Sequence, residues 1–211
     1  MFSKQVWHDR KHQAEVFVNS EGVVSGTILS WKKGMCLVNP RPEVLVALYQ
    51  EAKIKRILGV NAVVLTSHAP EFVRGLCTLI AYSRELRRKK PLTVYIRSDG
   101  AVSPVFLNSC CAQLMRQCSQ FDLDIVPVAL EHEFEVGEGI LRYRLTESDA
   151  RTPYLELRTG DRRIHFYDES FHEEPHECVG EQEAPDIAIR TVQLPQYRQI
   201  IPTRVREQVN A

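Results

Sequence analysis

The sequence predicts an α/β fold built on two facing sheets, and three observations carry that prediction. Before residue 130, short apolar runs such as Ala62–Leu65 and Leu92–Ile96 alternate with amphipathic stretches, the rhythm of buried strands and helices. Beyond residue 140 the period changes. Residues 141–145, 154–158 and 163–167 alternate apolar and polar, as strands with one wet face do. The chain of 211 residues also shows no internal repeat and no linker, which suits one sizeable domain over residues 1–195 and a partly ordered tail over 196–211.

Ala14–Val18 and Val23–Leu29 read as strands around the turn Asn19-Ser20-Glu21-Gly22, and Met35–Val38 as a third after Lys33-Gly34. Asn39-Pro40-Arg41-Pro42 ends it, and Pro42 suits a first helical turn. From Glu43 to Gly59, Val44, Leu45, Leu48, Ile54, Ile57 and Leu58 keep helical spacing. Ala62–Leu65 is a buried strand and Phe72–Lys89 a helix whose basic end, Arg87-Arg88-Lys89-Lys90, complements the helix dipole. Leu92–Ile96 follows as a strand, Ser103–Gln120 as a helix and Asp124–Leu130 as a strand. After the three alternating strands comes an acidic surface loop, Phe171–Pro185, and then a last buried strand at Ile187–Ile189. Buried strands in the first half and alternating ones in the second predict an αβ/βα sandwich of two mixed sheets, with helices on the outer faces.

Bulk properties narrow the function. Lys plus Arg and Asp plus Glu each total 27, so no global charge draws the chain to nucleic acid or an anionic membrane, although local patches remain open. There is no apolar run of about 18 residues to span a bilayer, and the N-terminus is too polar for a signal-peptide core. The six cysteines include the adjacent Cys110 and Cys111 but no CxxC pair. Reduced thiols in a cytoplasm are the expectation, not staples or a zinc knuckle.

The order of elements resembles the metallo-β-lactamase fold, and within it the ribonuclease Z-like branch. In that branch a strand ends in H-x-H-x-D-H, followed after two residues by Gly-Leu and a helix, then by a basic segment and a strand close to P-L-T-V-Y. Gly75-Leu76 and Pro91-Leu92-Thr93-Val94-Tyr95 stand in the matching places. Met35–Asn39 resembles the strand that ends in an acidic residue, Arg163–Ser170 the strand that brings in a bridging aspartate, and Asp186–Ile189 the closing strand. The resemblance covers most of residues 14–195 as a pattern.

The metal motif itself is degenerate. In register, its three histidine positions fall on Ser67, Ala69 and Phe72, and its aspartate on Glu71. The third-strand histidine falls on Glu147 and the bridging aspartate on Glu169, and no histidine follows His176. A dinuclear zinc site needs several imidazoles and a carboxylate. The resemblance therefore implies a zinc-less pseudoenzyme acting as a binding or dimerisation module, with no cofactor.

The alternative is a metal-dependent hydrolase, a phosphodiesterase on RNA or nucleotide. In it Glu71, Glu147 and Glu169 would hold zinc, manganese or magnesium. Against this, the same glutamates suit pairing with Arg74, Arg97 or Arg144, or facing water. His68 as a slipped ligand would point the wrong way at a strand end, and Thr66-Ser67-His68 lacks nucleophile–base geometry. His172, His176 and Cys178 have metal-like composition interrupted by Pro175. Arg84, Arg87, Arg88, Lys89 and Lys90 suit phosphate contact, although a solvated helix end is the favoured reading. The resemblance also implies a homodimer, or a dimer with an active relative. The opposite charges of residues 84–90 and 173–183 would strengthen it at low salt.

Overall fold

The computed structural model describes residues 3–8, 12–20, 23–32, 34–50, 54–66, 69–98, 121–137, 139–145, 153–159, 162–168 and 187–191. The larger sheet runs in the order β1 (Ser3–His8), β2 (His12–Val18), β3 (Val24–Trp31), β4 (Gly34–Val38), β5 (Val60–Leu65), β6 (Leu92–Arg97) and β7 (Leu123–Val128). Neighbours are antiparallel from β1 to β4 and parallel from β4 to β7. The smaller sheet runs β12 (Ile187–Thr191), β11 (Arg162–Asp168), β10 (Pro153–Thr159), β9 (Gly139–Leu145) and β8 (Glu133–Val136). It is antiparallel except for the β11–β12 pair, so both sheets are mixed.

Strand alternation sorts the apolar residues into two layers. On one face of the larger sheet Leu37, Val63, Leu65, Val94 and Ile96 pack with Leu45, Leu48, Leu76 and Leu79 of the helices α1 (Pro42–Gln50) and α3 (Pro70–Glu85). On the other face Cys36, Val38, Ala62 and Val64 meet Leu141, Tyr143, Leu155, Leu157 and Phe166 of the smaller sheet. Each fully buried aliphatic side chain contributes about 1.5–3 kcal/mol. The parallel strands β4 and β5 are covered on both faces, which is why they read as unbroken apolar runs. The described helices all lie on the larger sheet. The helix expected over Ser103–Gln120, the segment 171–185 and the tail 196–211 lie outside the described residues. No helix among the described residues is long and apolar enough to cross a membrane.

Four features depart from the sequence reading. The polar N-terminus forms β1, paired with β2 in unbroken register over six residues. Glu133–Val136 forms β8, a strand too short to announce itself by alternation. The predicted helix from Glu43 to Gly59 is two pieces, α1 and α2 (Ile54–Gly59). Finally, α3 starts at Pro70 and stops at Glu85, short of the basic run.

Arginine chemistry explains that early stop. The Arg87 backbone turns to a φ of 54°, and the Arg88 N–H donates to the Ser83 carbonyl at 2.8 Å. Arg88 swings inward and is only 2% exposed. Its guanidinium donates to the carbonyls of Lys90 (2.7 Å), Pro91 (2.9 Å), Ile57 (3.4 Å) and Val60, and lies 5.9 Å from the Phe121 ring centroid. Burial pushes its pKa down to about 10, so it stays charged at neutral pH. Arg88 ties the α3 terminus, the end of α2 and the starts of β5 and β6 together.

The connection from β4 to α1 is equally constrained. A Cβ at Gly75, in the middle of α3, would sit 1.7 Å from the Pro40 carbonyl oxygen and 2.5 Å from its carbon. From the other side, a Cβ at Gly26 would meet Pro40 Cα at 3.2 Å. Alanine for glycine inside a helix ordinarily stabilises by about 1 kcal/mol. Gly75→Ala is expected to reverse that sign and lose about 1–3 kcal/mol, because the obstacle is backbone. Urea unfolding followed by circular dichroism measures it.

Candidate functional site

In open α/β sheets ligands bind beyond the carboxyl ends of parallel strands. Here β4, β5 and β6 finish side by side, with Val38 beside Val64 and Leu65 beside Ile96. Asn39 follows β4 and Thr66 follows β5. Asn39 adopts a left-handed φ of 47°, a conformation asparagine tolerates better than most side chains. Its Nδ2 donates to Thr66 Oγ1 at 2.7 Å, and its Oδ1 accepts the Thr66 N–H at 2.9 Å. Its own N–H donates to the Val64 carbonyl at 3.0 Å. Both residues are buried. The side chain that ends β4 is thus spent on closing the strand ends against each other.

The smaller sheet closes this edge from above. Tyr143 on β9 is fully buried, and its hydroxyl donates to the Leu65 carbonyl at 2.8 Å, with the Tyr95 carbonyl at 3.4 Å. Phe134 stacks between Tyr143 and Tyr95, with centroid separations of 5.7 and 4.7 Å. The ends of β5 and β6 are therefore bound to the second sheet by the Tyr143 hydroxyl, by the Tyr95 hydroxyl donating to the Glu135 carbonyl at 3.3 Å, and by an aromatic stack.

Two mixed sheets face to face, with a cleft edge at the ends of β4–β6, match a known architecture. The structure superposes on the metallo-β-lactamase fold protein YhfI from Bacillus subtilis with a TM-score of 0.53 at 11% identity, covering 74% of this chain and 62% of that one. The chain has the metallo-β-lactamase fold. The apo state of the chemotaxis sensor ODP from T. denticola aligns with a TM-score of 0.53 at 12% identity, over 82% of this chain and 67% of the sensor. The Flv1 flavodiiron core from Synechocystis aligns at 0.50 and 13% identity, over 81% of this chain and 43% of that core. The chain spans less than two thirds of the YhfI and Flv1 core lengths. No family model matches the sequence, and no curated protein matches it.

Three of the residues that the sequence analysis set at ligand positions lie among the described residues. Phe72 is 1% exposed in the first turn of α3 and belongs to the core under the helices. Ala69, half-buried, precedes that turn, and its carbonyl accepts the N–H groups of Phe72 (2.9 Å) and Val73 (3.2 Å). Glu71 is half-buried in the same turn, where the helix dipole favours a carboxylate without any metal. Ser67, His68, Glu147, Glu169, His172, His176 and Cys178 lie outside the described residues. Among the described residues no group of three or more His, Cys, Asp or Glu side chains converges as metal ligands do.

The basic set is divided. Arg84, Arg87, Lys89 and Lys90 are exposed, whereas Arg88 is buried among backbone carbonyls, which corrects its reading as a phosphate contact or solvated end. Arg144, considered as a partner for the site glutamates, stands 3.5 Å from Glu156 and 3.6 Å from Glu131, while Glu147 and Glu169 lie outside the described residues.

A charge network absent from the sequence reading occupies the outer face of the smaller sheet. The β8–β11 register aligns Glu133, Arg142, Glu156 and His165 across one rung. Glu156 and His165 are 1% and 2% exposed, so this face is not simply wet. Arg158 Nε donates to Glu156 Oε1 at 2.9 Å, His165 Nε2 lies 3.3 Å from Oε2, and Arg142 and Arg144 stand at 3.5 Å. The sequence signal was Glu156, the one acid within the alternating segments 141–145, 154–158 and 163–167, set among Arg142, Arg144, Arg158 and Arg163. Burial works to raise the Glu156 pKa. The hydrogen bond to His165 and the charges of Arg158, His165 and Arg144 outweigh it and bring the value down to about 2.

Because the folded-state value lies below the ordinary glutamate range, Glu156 contributes stability at neutral pH. That contribution is lost as pH falls from about 4.3 to 2. Urea midpoints across pH 7 to 2 are expected to drop in this window. Glu156→Gln should lose about 2 kcal/mol at pH 7, leaving the guanidiniums uncompensated, and show a flatter acid limb.

Proposed function

We propose that this protein is a zinc-less, ribonuclease Z-like pseudoenzyme of the cytoplasm that serves as a binding or dimerisation module. The observation that carries the reading is the occupancy of the ligand positions. Phe72 is core, Ala69 offers no donor atom, and the Asn39 amide is bonded to Thr66 at 2.7 and 2.9 Å. The fold's usual pair of metal ions needs imidazoles and a carboxylate at those places. This donor set does not fit such a pair, so no chemical step is routed through it. The ribonuclease Z-like assignment rests on the Gly75-Leu76 and Pro91–Tyr95 matches. The cytoplasmic assignment is supported by the buried thiol of Cys36, which forms no disulfide among the described residues.

Elemental analysis of protein purified without chelator tests the reading, with substoichiometric metal as the expected result. Stoichiometric zinc, manganese or magnesium would overturn it. That outcome would favour the hydrolase with carboxylate ligands at Glu71, Glu147 and Glu169. Glu71→Ala and Glu169→Ala are expected to leave metal content unchanged and stability within about 0.5 kcal/mol of the parent.

A further inference from the structure

Sheet edges expose unpaired backbone groups, and proteins blunt them with charge, proline or shortness. Three of the four edges here are blunted. β7 carries the exposed Asp124 and Pro127; β8 has four residues, two of them the exposed Glu133 and Glu135; β12 has five residues and includes Arg190. The fourth, β1, has six residues, no proline and no bulge, and among the described residues it pairs on one side only. Its single charge, Lys4, is bound to Glu15 at 2.9 Å and so does not repel a neighbour. At 49%, Val6 is the most exposed large apolar side chain among the described residues.

We propose that β1 is a self-association edge, on which a second copy of this chain pairs antiparallel to extend the seven-stranded sheet across a two-fold axis. Strand register selects the partner. A two-fold normal to the sheet keeps every side chain on its own face only when a residue of like parity stands opposite. Lys4 and Val6 share the Glu15 face, since Val6 pairs with Glu15 in β2. A register centred on Val6 therefore sets it against the partner's Val6, and Gln5 against the partner's Trp7. In that register the two copies of Lys4 stay about 13 Å apart, so like charges are not opposed.

The same face carries α2, anchored to the edge through Arg56, which binds Glu15 beside Lys4. Ile54, 40% exposed on α2, adds apolar surface to that flank. Backbone hydrogen bonds supply direction, while Val6 and the α2 flank supply area toward the roughly 800 Å² per partner that a stable interface buries.

This association needs nothing from the cleft, so its failure would leave the zinc-less reading standing, and the converse also holds. Light scattering coupled to size exclusion, at micromolar concentration and in both low and high salt, tests it on the full chain. The parent is expected to run at twice the monomer mass in both salts. Val6→Lys and Gln5→Pro are expected to run as monomers with the parent's circular dichroism spectrum. Oxidised Val6→Cys should give a covalent dimer on non-reducing gels where the parent gives none. A parent monomeric in low salt would overturn the proposal. So would a dimer that survives Val6→Lys and dissociates in high salt, which would assign association to the charged segments. Failure of Val6→Cys to cross-link within a persistent dimer would overturn it too.

Discussion

Pro40 crosses from β4 to α1 through a gap that holds backbone and nothing else. Gly26 lies on one side of it and Gly75 on the other, and the Arg41 N–H donates to the Ser25 carbonyl at 2.8 Å. This crossing determines how near α3 lies to the sheet, and hence where the first turn of α3 stands relative to the ends of β4 and β5. Asn39, one residue earlier, takes the left-handed turn that brings the chain into the gap. Its amide hydrogen-bonds Thr66 and closes the strand ends. Helix packing and the closure of the strand ends have the same geometric root.

A second clasp works at the other end of α3. Buried arginine is costly unless its donors find partners. Arg88 meets that demand with four backbone carbonyls drawn from α2, β5 and the start of β6. The carbonyls at an element's end are otherwise hard to satisfy away from water. One guanidinium thus satisfies several orphan acceptors and fixes α2, α3 and two strand starts as a unit. The neighbouring Arg84, Arg87, Lys89 and Lys90 remain at the surface.

Between the sheets the joining force is apolar burial, with the Tyr143 and Tyr95 hydroxyls as directional anchors near the cleft edge. On the far face of the smaller sheet the Glu156 network does different work. Cross-strand ladders of alternating charge specify register. A one-residue slip would bring the arginines of β9 and β10 against apolar neighbours and put Leu155 and Leu157 on the wrong face. The network holds the strand order that keeps Tyr143 pointing inward.

The sequence by itself determined the class of fold, because periodicity reports which faces are buried and both periods are present in the right order. It also determined that Ala69 and Phe72 bring no side-chain ligand atoms in any conformation. Tertiary structure alone decided what surrounds them. That Asn39 closes on Thr66 and that Arg88 reaches the carbonyls of Ile57 and Val60 depend on partners 27 or more residues away. A run of basic residues at a predicted helix end looks the same in sequence whether it is solvated or clasped. Likewise the polarity of Glu156 and His165 marks a sheet face, but burial follows from what stands on that face. β1 escaped notice for the same reason. Its alternation is weak, and it is a strand because β2 offers it a ladder, an interaction between segments that no local pattern encodes.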